Sequence, residues 1–427
     1  MRTNDSDGDA DDMEDVDHSP DDARQTDARR FMEAFLARTG VTGAQGPVRY
    51  LWTDAFAVCN LFGLARSLEE PGYAELAVRL IADVHEVLGR HRSDDPRQGW
   101  ISGLDEQEGR AHPTAGGLRI GKPLPERARG EADAGQLEWQ RDGQYFHYLT
   151  RWAHALQTAA IHMGEPRYGA WARELMQAAC EGFARGQGDD ARLVWKMSIE
   201  LDRPQVSSSG HHDPLEGHVR CLELAAGAMA EGDRAGAEAM QRLAARLDRM
   251  IHRAALATPD PLGTGGLLMD TAVLARLVGD GRMADDGLLA AVLDAAAAGL
   301  DFLGREAETG RPAGERLAFR ELGLAIGLHA LPVVREAAAA SPDAFAERRR
   351  LETQLADLAA FEPLGSAIES FWCEPGHRRN DLWREHEDIN SVMLASALAP
   401  EGVLRLSPPP SQVGGPSGPT SSEGNRA

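Results

Sequence analysis

Four short stretches of the chain concentrate side chains that bind polar ligands or move protons. Leu51-Trp52-Thr53-Asp54-Ala55-Phe56 sets a carboxylate beside an indole. Glu138-Trp139-Gln140-Arg141-Asp142 runs on into Tyr145, His147 and Tyr148. Ser207-Ser208-Ser209-Gly210-His211-His212-Asp213-Pro214-Leu215-Glu216 carries two adjacent histidines and two acids. Arg384-Glu385-His386-Glu387-Asp388 is a dense titratable run. Two carboxyl groups in different surroundings are the equipment of general acid and base catalysis. Asp54 and Asp142, each beside a Trp, are the candidate pair. Neutral imidazole exchanges protons near pH 7, so His212 and His386 are candidate proton shuttles.

Binding candidates surround these groups. Indole and phenol faces stack on flat or ring-shaped ligands at low entropy cost, which singles out Trp52, Trp100, Trp139, Tyr145 and Trp195. His147 and His211 stand beside them. The chain has two lysines, Lys122 and Lys196, among otherwise exclusively Arg bases. A compact ammonium differs from a guanidinium in shape and hydration, so both are candidates for a site. Arg378, between His377 and Arg379, can hold a carboxylate or phosphate. Asp270 and Glu321, in apolar segments, must be paired or face a wet cavity. Structural roles compete for several of these positions. Asp142 can cap a helix, and Asp213 with Pro214 and Glu216 reads as a capping-box helix start. Adjacent histidines diverge, and HExxH, CxxC and P-loop spacings are missing, so no metal and no cofactor is expected.

The elements that position these groups are helical. Apolar residues recur at i, i+3 and i+4, and alternating β-branched runs are missing. Helices are expected near 24–39, 53–69, 72–90, 143–163, 166–185, 214–230, 233–256, 266–279, 285–304, 317–336, 342–359 and 386–399. Every second helix is apolar on nearly all sides, as in Ala55-Phe56-Ala57-Val58-Cys59, and belongs inside. The others are striped with Arg and Glu and belong outside. Glu70-Pro71-Gly72-Tyr73 and Glu165-Pro166-Arg167-Tyr168 repeat one outer-helix start. Connections from inner to outer helices are short. Those from outer to inner are long, near 91–142, 186–213, 257–265, 305–316 and 360–385. Long connections in a compact domain carry function. Helices that alternate up and down place all of them at one end, with the candidate residues.

This alternation of six outer and six inner helices resembles the (α/α)6 toroids of the six-hairpin glycosidase type. The Trp52-Thr53-Asp54 segment is similar to the Trp-x-Asp openings of inner helices in the unsaturated-glycuronyl hydrolases. The resemblance implies an all-α toroid over residues 24–405 and a carbohydrate-active enzyme of glycoside hydrolase type. A sugar epimerase or isomerase with paired His, and a non-enzymatic binding or scaffold protein, are the alternatives.

Composition sets the remaining bounds. The net charge is −22 and the pI about 5.1, which argues against a phosphate-tracking nucleic-acid protein. Residues 1–23 form an acidic block, with a DDxxD-like match from Asp11 to Asp15, and residues 406–427 are Pro/Gly/Ser-rich. Both are expected to be disordered tails. No secretory signal and no uninterrupted apolar run of about 18 residues is visible, so a cytoplasmic protein without a membrane partner is expected. Cys59, Cys180, Cys221 and Cys373 are scattered, which speaks against a disulfide framework.

Overall fold

The computed structural model describes residues 20–132, 135–284, 286–306 and 310–405. The DDxxD-like match and the Pro/Gly/Ser-rich end lie outside them. The first helix, α1, spans Pro20–Arg38 and so begins inside the expected acidic tail, with Asp21 and Asp22 in its first turn. Acids there are favoured by the helix dipole. The chain continues as α2 (Leu51–Ser67), α3 (Gly72–Leu88), the short α4 (Glu106–Ala111), α5 (Phe146–Met163), α6 (Pro166–Phe183), α7 (Asp213–Glu231), α8 (Arg234–Asp248) and α9 (Pro261–Gly279). Then come α10 (Gly287–Glu306), α11 (Ala318–Leu328), α12 (Ala330–Ala340), α13 (Arg348–Ala359), α14 (Glu362–Cys373), α15 (Asp381–Glu385), α16 (Glu387–Leu398) and α17 (Glu401–Leu404).

Six of these form a closed inner ring. Helix α2 packs on α5, α5 on α7, α7 on α9, α9 on α11, α11 on α16, and α16 returns to α2. Helices α1, α3, α6, α8, α10 and α14 pack outside them. The fold is therefore an (α/α)6 toroid. Helix α2 shows how deep the inner layer lies: fourteen of its residues are buried, from Leu51 to Leu64. Helix α17 closes the far end of the axis, where Val403 O accepts from His154 Nε2 at 2.9 Å.

The structure departs from expectation in the last third. The inner helix expected over 317–336 stops at Leu328 and restarts as α12. Pro332 has no N–H to offer Leu328 O, so the helix breaks there. Pro342 opens only a single turn, Pro342–Ala344, and α13 begins at Arg348. The expected loop 360–385 contains α14, the sixth outer helix, which packs on α11 and α16. Among the described residues, strand is confined to two-residue pairs. Gln144–Tyr145 pairs with Lys196–Met197 and ties two long loops together at the start of α5.

Three helices bear on the membrane expectation. Pro261–Gly279, Gly287–Gly304 and Ala318–Ala340 are long and apolar enough to cross a membrane by length and composition. Leu, Val and Ala raise their mean hydropathy, while charged residues such as Asp270, Asp294 and Glu321 interrupt each run. In this fold 78%, 50% and 61% of these windows are buried inside the protein.

Candidate active site

A cavity of about 480 Å³ opens at the N-terminal ends of the inner helices. Helix α2 contributes Trp52 and Phe56, α5 contributes His147 and Arg151, and α7 contributes Asp213 and Glu216. His211, His212 and Trp195 enter from the long loops, and Arg320 from α11.

Two carboxyl groups of α7 are driven in opposite directions here. Asp213 is the first residue of the helix and is buried. It does not cap: the cap position falls on His212, whose backbone is already helical. That overturns the expected capping role, because a carboxyl inside the first turn no longer faces the free N–H groups. Asp213 Oδ2 has no hydrogen-bond partner, and Oδ1 lies 3.9 Å from His147 Nδ1. Burial, and then the charge of Glu216, push this carboxyl well above its ordinary range. A side chain at Gly210 would place its Cβ 2.0 Å from Asp213 Oδ2, so only glycine lets the loop close over the acid. Glu216 is half-buried at the cavity wall, and that desolvation alone would raise it. Burial is the largest single influence, but the Arg151 guanidinium, His147, His212 and the Thr150 hydroxyl together outweigh it and leave Glu216 below its ordinary value. Its Oε1 accepts from Arg151 Nη2 at 3.0 Å and its Oε2 from Thr150 Oγ1 at 3.1 Å.

The histidines have defined tautomers. Trp195 Nε1 only donates, so His147 Nδ1, 3.3 Å away, accepts and Nε2 carries the proton. Burial lowers His147 to about 4. His212 Nε2 donates to Leu256 O at 2.7 Å, which leaves a lone pair on Nδ1. His211 lies at the rim, its ring 4.5 Å from that of His212. On the far wall Asp260 caps α9, accepting from Gly263 N at 3.1 Å, and its other oxygen accepts from Arg320 Nη1 at 2.6 Å.

A second, wider cavity of about 920 Å³ opens on the same face. It is lined by Tyr50, Lys122, Trp139 and His386 among others. The rings of Trp139 and Trp195, 4.5 Å apart, stand between the two cavities. Trp139 is 45% exposed, and the Lys122 ammonium donates to its carbonyl.

Several sequence candidates lie elsewhere. Asp54 lines neither cavity. It is buried, with Oδ2 accepting from Tyr50 N at 3.0 Å and Oδ1 3.6 Å from Arg49. Burial raises it to about 7 against the pull of Arg49 and the Tyr50 N–H. Asp142 is a fully buried anchor for the first long loop. Its Oδ1 accepts from Gly121 N, Lys122 N and Gly143 N at 3.0, 3.3 and 3.0 Å, and its Oδ2 accepts from Arg119. Trp100 is buried beneath the Arg90 guanidinium, 4.2 Å away. Lys196 is buried and donates to the carbonyls of Glu138 and Arg141, a slot that fits a compact ammonium. Burial, and then Lys122, lower it to about 8. Tyr145 is buried behind Trp195, ring centroids 5.2 Å apart. Arg378 lies over Phe31 of α1, 4.8 Å from its ring, outside both cavities. His386 and His212, expected to act together, line different cavities.

Sequence reasoning missed Glu216, Arg151 and Asp260 as site residues and took Asp213 for a cap. The available signal was Asp213 and Glu216 at i and i+3 on a helix that follows a long loop, with Gly210 ahead of it. No cluster of three or more metal-ligating side chains is present among the described residues.

No family model and no curated protein matches the chain. Solved structures share its architecture. A GH76 α-mannanase of Bacteroides thetaiotaomicron is 10% identical, covers 89% of this chain and 97% of its own, and has a TM-score of 0.49. A GH76A α-1,6-mannanase of a Salegentibacter species is 11% identical, with coverages of 88% and 99% and a TM-score of 0.48. A D-mannose isomerase is 12% identical, with coverages of 81% and 87% and a TM-score of 0.43. The likeness is one of fold.

Proposed function

We propose that the protein is a carbohydrate-active enzyme of glycoside hydrolase type, working in the cavity that holds Asp213 and Glu216. The observation that carries this reading is the opposite treatment of these two carboxyls, three residues apart on α7. One has an oxygen without a partner and is pushed well above the ordinary carboxylate range by burial. The other is clamped by Arg151 and held ionised. Pairs separated in this way divide the roles of acid and base. Breaking a glycosidic bond needs a proton on the leaving oxygen and negative charge near the anomeric carbon. Asp213 supplies the proton and Glu216 the charge. Trp52 and Trp195 offer ring faces for the sugar, and Arg151 fixes Glu216.

The test is a screen of sugar release on a glycan panel, followed by two variants. Asp213→Asn abolishes turnover of natural glycosides but spares an aryl glycoside whose leaving group needs no proton. Glu216→Gln abolishes both. Full activity of Glu216→Gln on a cleaved substrate sinks the assignment.

One observation favours a second reading, a sugar isomerase. His147 offers an N–H while His212 offers a lone pair, which suits one ring to polarise a carbonyl and the other to take the proton beside it. Solvent deuterium entering the sugar, lost in His212→Ala, would select this reading over hydrolysis.

A further inference from the structure

Below the floor of the Asp213 cavity, the axis of the toroid carries charge. A Cβ on Gly266 of α9 would lie 3.7 Å from Arg151 Nη2 and 3.8 Å from Glu216 Oε1, so α9 passes close against this ion pair. Asp270 is one helical turn further along the same face of α9. It is 1% exposed, and neither of its oxygens has a hydrogen-bond partner. Arg220 Nη2 lies 4.0 Å from it on the deeper side. Arg220 also contacts Glu223, which reaches Arg276 at 3.6 Å. Glu216, Arg151, Asp270, Arg220, Glu223 and Arg276 thus form one thread of charge through the middle of the fold.

We propose that Asp270 is a positioning residue for Glu216: it keeps a proton while the site is competent, and on releasing that proton to solvent it competes with Glu216 for Arg151. The inference rests on the reading of Asp213 and Glu216 given above. With Asp270 protonated, the thread holds three guanidiniums against two carboxylates. Loss of the proton balances it at three and three, so ionisation is compensated globally yet draws Arg151 away from the cavity. Burial raises the Asp270 carboxyl to about 7, with Arg151 and Arg220 opposing and Glu216 and Glu223 reinforcing. The charged groups around it come from α5 and α7, with Arg276 from its own helix. His154 of α5 sits between Glu223 and Arg220, and burial lowers it. The other helices packed on α9 turn their charges elsewhere. Glu321 of α11 binds Arg316, His329 and Glu369 bind each other beside α12, Asp294 of α10 binds Arg350, and Glu401 of α17 binds Arg405.

Two measurements test this on the full chain. The first needs no substrate. The side-chain ¹⁵N resonance of Arg151, assigned with Arg151→Lys, shifts with a midpoint near that of Asp270 in the wild type and does not shift in Asp270→Asn. A resonance that titrates identically in both proteins, or in neither, overturns the proposal. The second uses an aryl glycoside that needs no proton from Asp213, so that acid drops out of the pH profile. Wild-type kcat/KM then falls about tenfold per pH unit on the alkaline side. Asp270→Asn removes this limb, and Asp270→Glu restores it. If Glu216→Gln abolishes turnover while the wild type shows no such limb, the role of Asp270 is wrong and the reading of Glu216 stands. If Glu216→Gln leaves turnover intact, the reading of the site fails, and the resonance still decides whether Asp270 and Arg151 are coupled. A poorly folding Asp270→Asn leaves the wild-type alkaline limb as the deciding result.

Discussion

Asp270 makes a quantitative claim on folding that is independent of any substrate. In the folded protein its carboxyl holds its proton up to about pH 7, against an ordinary value of 3.8. The folded state therefore binds more protons than the unfolded state between those two values, and stability falls as pH rises through that window. Its contribution is fully present below the unfolded value and fully lost above the folded one. A shift of this size corresponds to about 4 kcal/mol in all, of which roughly 3 kcal/mol falls between about pH 5 and pH 8. Asp270→Asn removes the titration. Urea unfolding of both proteins across that range measures the difference at each pH. The gap should change in favour of the Asn variant by roughly 3 kcal/mol from the acidic to the alkaline end. A gap that does not vary with pH refutes the reasoning. It would mean that Arg151 and Arg220 keep Asp270 ionised throughout and that the thread is fully charged.

Three further outcomes follow from single contacts. Gly210→Ala brings a methyl to 2.0 Å from Asp213 Oδ2, displacing the acid by about 1 Å or more. Turnover of unactivated glycosides should drop about a hundredfold, while the urea midpoint stays close to wild type. Asp142→Ala leaves Arg119 buried without its carboxylate and frees three backbone N–H groups. A loss of about 3–5 kcal/mol in urea unfolding is expected, with new protease cleavage within residues 91–142. Gly265→Ala forces a Cβ to 2.1 Å from Gly323 O, where α9 and α11 cross backbone to backbone. Overpacking of this kind costs about 1–3 kcal/mol or more. An unchanged thermal midpoint would refute a backbone-to-backbone crossing at this point.

The alternation of striped and largely apolar helices was legible in the chain, and with it the two layers of the toroid. So was the face that carries the long connections, because loop length depends only on where periodicity stops and restarts. Both lysines sit on that face, as their loops indicate, but for different reasons. Lys196 fills a slot between two carbonyls that no local pattern reveals, while Lys122 lines the wider cavity. The sixth outer helix was hidden, because Glu362–Cys373 falls in a segment expected to be a long connection, while α13 and α16 lie close to the helices expected at 342–359 and 386–399.

What the sequence by itself determined is the inventory: helices, layers, and the carboxylates and histidines that open the inner ring. Which of those carboxylates meets the cavity was decided only by tertiary structure. An α-helix turns about 100° per residue, so a one-residue change in its starting point swings a side chain from one surface to another. Asp54 is the fourth residue of α2 and turns back to Tyr50 and Arg49, while Asp213 is the first of α7 and meets open space. Local pattern sets a helix start to within a few residues. The packing of six helices sets it to one, and the chemistry of this site depends on that one.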